Sequence, residues 1–193
     1  MVDTLVFIDD GFLSKLSKYL GDGKYLKFHR KDFAEFISKK EGLNCKKVFI
    51  YTAPPFQSHD PNSLELKRKE GYDIFKNSLL KEGIILREGR CQRLKLGKGF
   101  SYKQKAVDIL LVIDLMNIHL DYPKIKRIIL VCSDSDFVPV IKNLEEKGIK
   151  TILYTYYSKE RNTNFSRSNY LIQSVHKYVL LSKKDFDDAP LNK

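Results

Sequence analysis

Val131-Cys132-Ser133-Asp134-Ser135-Asp136-Phe137-Val138-Pro139 is the stretch that decides the fold. The apolar run 128–132 stops at two carboxylates two residues apart, and Phe137, Val140, Ile141 and Leu144 follow at helical spacing. That order predicts a buried strand, a short acidic turn, and a helix to Lys147 ended by Gly148. Ligands of open α/β sheets gather at the carboxyl ends of strands, so Asp134 and Asp136 stand where a hard cation would be held. Ser-Asp-Ser-Asp is equally a good helix N-cap, and the motif alone leaves both readings open.

The same grammar recurs outward from this stretch. The β-rich run 4–8 ends at Asp9-Asp10-Gly11 and predicts a first strand buried on both faces. Phe12, Leu16, Tyr19 and Leu20 predict a helix broken at Gly21-Asp22-Gly23; Phe33, Phe36 and Ile37 predict another, with Gly42 as its cap. Strands follow at 48–51, closed by Pro54-Pro55, then at 84–86, 149–154 and 178–181. Asn62 or Ser63 caps a charged helix to Lys81 whose buried side carries Tyr72, Phe75 and Leu79. The run 106–120 is apolar nearly all round and predicts a fully buried helix. Alternating strands and helices imply right-handed crossovers and a mainly parallel sheet covered on both faces. One domain over residues 1–182 is expected, with a loose polar tail at 183–193.

Composition bounds the function. The 193 residues carry a formal charge of +11 with 42% hydrophobic residues, which favours a packed domain with a polyanionic partner. Three cysteines without CxxC spacing, and no secretion-like start, point to a reducing cytoplasm. The longest apolar stretch is broken by Asp114 and is too short for a bilayer. P-loop, GxGxxG and GxSxG motifs are absent, and the four histidines are scattered.

The acids are the candidate chemistry. Asp9 ends the first strand, Asp134 and Asp136 end the strand at 128–132, and Asp108 opens an apolar helix. A buried carboxylate at position 108 is costly unless a cation or donor meets it. Asp114 lies about 120° away around that helix and points elsewhere. Asp10, Ser133 and Asp114 are therefore expected to support the ligands or the structure. Oxygen-only donors indicate Mg²⁺ or Mn²⁺ rather than zinc. Segment 87–105 reads as a hairpin or flap. Its Arg87, Arg90, Arg93, Lys95, Lys98, Lys103 and Lys105 suit phosphates, and Phe100 and Tyr102 suit unpaired bases. Asp9-Asp10 also suits a phosphoacceptor, but Asp134, Asp136 and the chain length do not favour a receiver domain.

Phe7-Ile8-Asp9, Gln104-Lys105-Ala106-Val107-Asp108 and the block from Cys132 to Pro139 together resemble the signature of the NYN domain, LabA-like branch, of the PIN-like nuclease superfamily. Tyr51 and the Arg87-x-Gly89 pair are similar too. The resemblance implies a Rossmann-like three-layer α/β sandwich in which Asp9, Asp108, Asp134 and Asp136 bind divalent metal. Family members often carry Ile-Asp-Gly-x-Asn near the start; Asp10 and Phe12 depart from that, while the acids are intact. The expected activity is hydrolysis of RNA phosphodiester bonds, with nucleic-acid binding and little cleavage as the alternative. The expected partner is RNA, or DNA through the same backbone chemistry; a dimer is compatible with the sequence.

Overall fold

Leu5, Val6, Phe7 and Ile8 are wholly buried, because strand β1 (Val2–Asp9) is flanked on both edges and covered on both faces. The computed structural model describes residues 1–97, 99–160 and 165–191. β1 pairs in parallel with β2 (Leu43–Thr52) on one side and β6 (Arg127–Val131) on the other. β2 carries β3 (Ile85–Glu88) outward, and β6 carries β7 (Lys150–Thr155) and then β8 (Lys177–Leu180). The sheet order is thus β3-β2-β1-β6-β7-β8, with every pairing parallel. The chain builds outward from β1 in one direction and then in the other. The reversal lies between β1 and β6, where such sheets open a crevice at their carboxyl ends.

Alternate residues of the strands feed two cores. Val6, Ile8, Val48, Ile50, Ile129 and Val131 face helices α1 (Asp10–Leu20) and α2 (Arg30–Lys40) through Leu13, Leu16, Phe33 and Ile37. Leu5, Phe7, Phe49, Ile128 and Leu130 face α4 (Val107–Asp121) and α5 (Val138–Glu146) through Leu111, Leu115, Ile118, Ile141 and Leu144. The expected three-layer sandwich is the observed one. α3 (Ser63–Lys81) starts at the Asn62 cap, completed by a reciprocal bond from Glu65; it buries Leu79 and half-buries Tyr72 and Phe75. A short α6 (Asn169–Gln173) precedes β8.

Three expectations are corrected. Helix α4 is not buried all round: Ile109, Ile113, Met116 and Leu120 are exposed, opposite the face that meets the sheet. One layer of helices leaves each helix a solvent side, and a uniformly apolar sequence does not say which side that is. The tail is not loose over 183–191. Lys183–Asp187 forms α7, whose Phe186 packs on Phe28 and Phe33 with ring centroids 4.9 and 5.5 Å away. Lys40 Nζ reaches Asp185 at 2.6 Å, and Phe28 bridges to Pro190. One phenylalanine in a polar segment carries too weak a periodicity to reveal this. Segment 87–105 is split: Arg87 belongs to β3, whereas β4 (Arg90–Leu96) and β5 (Gly99–Lys105) form an antiparallel hairpin with its own two-stranded sheet.

That hairpin is tied down at its base. Gly89 donates its N–H to the Thr52 carbonyl at 2.8 Å, and Tyr102 packs against Phe56 at 5.8 Å. Cys45, Cys91 and Cys132 are free thiols. Among the described residues, no helix is long and apolar enough to cross a membrane.

A Cβ at Gly89 would lie 2.4 Å from the Lys105 carbonyl oxygen and 2.7 Å from Val107 Cγ2, so the hairpin root presses on a backbone that cannot yield cheaply. Gly89→Ala is expected to cost about 1–3 kcal/mol through overpacking. Gly71, within α3, has nothing within 4 Å of such a Cβ. Gly71→Ala is expected to gain about 0.5–1 kcal/mol from helix propensity. Urea denaturation of the two variants should therefore move in opposite directions; a stable Gly89→Ala protein would refute the tight root.

Candidate active site

The register of β1 and β6 pairs Ile8 with Val131, so both strands end side by side with Asp9 and Cys132 one residue beyond. Cys132 is wholly buried, and its chain runs on through Ser133 and Asp134 to the surface. On the other side of the crevice, the hairpin returns its chain at Lys105 to start α4, and Asp108 lies in the first turn of that helix. An open groove of about 1280 Å³ results. Asp9, Asp10, Ser133, Asp134 and Asp108 line it, with Tyr102, Lys103 and Gln104 from β5. Asp136 does not line it.

Asp9 is the best-fixed acid. It caps α1, its Oδ1 accepting the Phe12 N–H at 3.2 Å. Burial pushes its carboxyl up to about 6, helped by the charges of Asp108 and Asp10 and opposed by the N–H groups of Phe12 and Gly11. Gly11 matters for this arrangement. A Cβ there would lie 3.0 Å from Asp9 Oδ1 and 3.2 Å from Gln104 Oε1, so the glycine leaves room for the hairpin's glutamine beside the half-buried acid. Gln104 was legible only as part of a motif; its closeness to Asp9 requires the hairpin to fold over α1.

The other acids differ from expectation in their surroundings. Asp108 is exposed to the groove rather than buried. Its carboxyl is still raised, by partial loss of water in the groove and then by the charges of Asp134 and Asp136. The first turn of a helix favours a carboxylate, which further reduces the cost expected for it. Asp134 Oδ1 accepts the Asp136 N–H at 2.9 Å and so caps the 3-10 turn Ser135–Phe137 that leads into α5. The cap reading of Ser133 to Asp136 is therefore present alongside the groove-lining one. Asp10 turns to Arg30, whose Nε donates at 3.0 Å, and to Ser14, whose hydroxyl donates at 3.1 Å. Arg30 in turn lies over the rings of Phe28 and Phe75, at 4.6 and 4.8 Å. Asp114 is remote from this cluster; it accepts from the Tyr51 hydroxyl at 2.7 Å and from Arg87 at 2.9 and 3.1 Å.

The basic set divides likewise. Arg87 is held by Asp114, and Arg93 lies over Phe56 and Phe100 at 4.7 and 4.6 Å, stapling the hairpin to the loop after β2. Tyr102 and Lys103 face the groove, while Arg90, Lys95 and Lys105 are exposed along the hairpin. Phe100 is exposed beside Arg93. Lys98 lies outside the described residues. Lys15 and Lys18 of α1 also line the groove and were missed. Their signal was the helical spacing of Gly11, Lys15, Lys18 and Asp22 on one face.

Among the described residues, no three His, Cys, Asp or Glu side chains gather into a ready-made metal cage. The donor chemistry nevertheless fits a hard cation: oxygen ligands only, and carboxylates that raise one another's affinity for protons. Mg²⁺ is commonly held by one or two carboxylates, with substrate phosphates and waters completing its octahedron. Asp9, Asp108 and Asp134 can supply that share.

The model of the NYN domain matches residues 4–181. Among solved structures, a protein of unknown function from Vibrio parahaemolyticus superposes with a TM-score of 0.60 over 96% of this chain and 95% of that one. The two are 17% identical, so the likeness concerns the fold. No curated protein matches the chain.

The raised carboxyl of Asp9 has a stability consequence. The folded chain binds this proton more tightly than the unfolded one, whose ordinary value is 3.8. The group's contribution is therefore fully present below pH 4 and is lost as pH rises through 6. In chelator, Asp9→Asn should equal the parent at pH 4 and exceed it by about 3 kcal/mol at pH 8. Urea melts at the two pH values measure this; an Asn variant that is weaker at pH 8 would contradict the buried charge.

Proposed function

We propose, from the premise that this chain belongs to the NYN domain family, that its groove is the active site of a divalent-metal-dependent ribonuclease. The observation that carries the reading is the meeting of Asp9, Asp108 and Asp134, from three separate elements, on one groove of a chain with a net charge of +11. The block from Cys132 to Pro139 fits the LabA-like branch, and the free thiols fit a reducing cytoplasm.

In this reading Asp9 and Asp134, at the ends of the neighbouring strands β1 and β6, would hold a Mg²⁺ or Mn²⁺ ion. The ion would neutralise a phosphate oxygen and lower the pKa of a water molecule. Asp108, at the mouth of α4, orients the attacking water and takes up its proton, for which its raised carboxyl is suited. Asp136 acts through its charge on Asp108. The Gln104 amide, beside Asp9, donates to the phosphate, and Lys103 draws the backbone in. Ser133 lies at the groove between the two strand ends and steadies the same phosphate. Asp10 and Arg30 fix the start of α1, and with it the Asp9 cap. RNA is the proposed substrate, with DNA bound through the same backbone contacts.

A second reading, nucleic-acid binding with little cleavage, is favoured by one observation: no three-ligand cage is preformed among the described residues. The two readings separate in one assay. With labelled single-stranded RNA and Mg²⁺ or Mn²⁺, Asp134→Asn and Asp108→Asn should each lower cleavage on the order of 10²–10³-fold, and chelator should abolish it. Salt-dependent RNA binding that survives chelator, with no cleavage by the parent protein, would establish the second reading instead.

A further inference from the structure

The groove has a second wall that the acids do not use. It runs along α1 away from Asp9 and carries Lys15, Lys18 and Tyr19, then Tyr25 from the following loop. The loop is folded back on the helix rather than trailing from it. Leu26 donates its N–H to the Ser17 hydroxyl at 2.9 Å, and the Gly23 N–H bonds the Lys18 carbonyl at 2.9 Å. This places the Tyr25 ring 5.8 Å from Lys18 Nζ, with the ring 65% exposed. A tyrosine that open is not part of the core, and the backbone bonds that hold its loop limit the entropy lost when something stacks on it. Tyr19 differs: it packs at 5.1 Å against Phe165 and forms the floor. Across the groove stand Tyr102, 47% exposed, and Lys103. Asp22 contributes the one carboxylate at this far end among the described lining residues.

We infer that this wall is a binding track for an unpaired nucleic-acid strand, with Tyr25 as a base-stacking platform and Lys15 and Lys18 as phosphate contacts. The inference rests on the reading of the groove as a nucleic-acid site and adds the form of the substrate. Cations on both walls suit a backbone passing between them. Open aromatic faces suit bases free to stack, which a duplex keeps within its own stack. Lys18 lies nine residues beyond Asp9 along α1, about 13 Å at 1.5 Å per residue. That is about four nucleotides at ~3.4 Å each in a stacked strand. A strand cut at the acids therefore needs about four unpaired nucleotides on one side of the cut to reach Tyr25.

Fluorescence anisotropy in chelator, with 5′-labelled decauridylate, triuridylate and a ten-base-pair RNA duplex, tests the track apart from any cleavage. The parent protein should bind the decamer well and the trimer much more weakly. Tyr25→Ala should weaken the decamer roughly tenfold, as the loss of one stacked base would. Tyr25→Phe should restore it, and the duplex should be indifferent to position 25. Lys18→Ala should lessen the salt dependence by about one phosphate contact, a slope change of ~0.7. Equal decamer binding by the parent and Tyr25→Ala would overturn the track, as would absence of binding by the parent. If the parent nevertheless cleaves RNA, the nuclease reading survives that failure. Position-dependent binding without cleavage would support the track and leave only the nuclease reading to fall.

Discussion

A carboxylate at the end of a strand buried on both faces is the constraint on which this structure depends. From Leu5 to Ile8, β1 has no solvent edge and no solvent face, so this run is apolar up to the point where the sheet ends. Asp9 is the first chargeable side chain after that buried run, and it is still enclosed enough for its proton to be held up to about pH 6. Everything near it answers that charge. The α1 amides solvate it, Gly11 keeps a side chain out of the way, and Gln104 is brought over from another sheet. The neighbouring acids Asp108 and Asp10 push the other way. Two N–H groups facing the carboxyl do not offset its burial and the neighbouring charges, so the carboxyl stays raised.

The hairpin shows how the fold turns a static crevice into a two-sided one. A doubly wound sheet by itself leaves its carboxyl end open. Here β4 and β5 rise from the root at Gly89 and are braced by the Arg93, Phe56 and Phe100 stack. The cost is that Arg93 serves the scaffold, as Arg87 does through Asp114. The residues left facing the groove are few: Tyr102, Lys103 and Gln104. Net charge therefore overstates how many cations a strand of nucleic acid would meet at the centre.

The fold was legible because strands buried on both faces write themselves as unbroken apolar runs, and the two central runs, 4–8 and 128–132, each lead into acids. The acids were legible for the same reason, since they are the terminators. What stayed hidden depended on the third dimension. The exposed back of α4 is as apolar as its buried front, so Ile109 and Leu111 look alike in sequence. Asp108 was read as buried because its neighbours along the chain are apolar, whereas its neighbours in space are a groove. Lys15 and Lys18 look like any solvated helix face until the hairpin is seen opposite them. Phe186 docks on Phe28 and Phe33 from far along the chain, a contact that no local pattern announces.

The central position of β1 also sets the order in which the molecule comes into being. Thr4 bonds to the Arg127 carbonyl across 123 residues of chain, and β1 stays half-paired until β6 has been made. During synthesis at roughly 5–20 residues per second, that interval lasts on the order of ten seconds. Through it, Asp9 lacks both the strand that encloses it and Asp134, which follows that strand. A chain stopped short of β6 therefore lacks Asp134 and one wall of the groove, so the topology itself withholds the assembled acid cluster from unfinished copies.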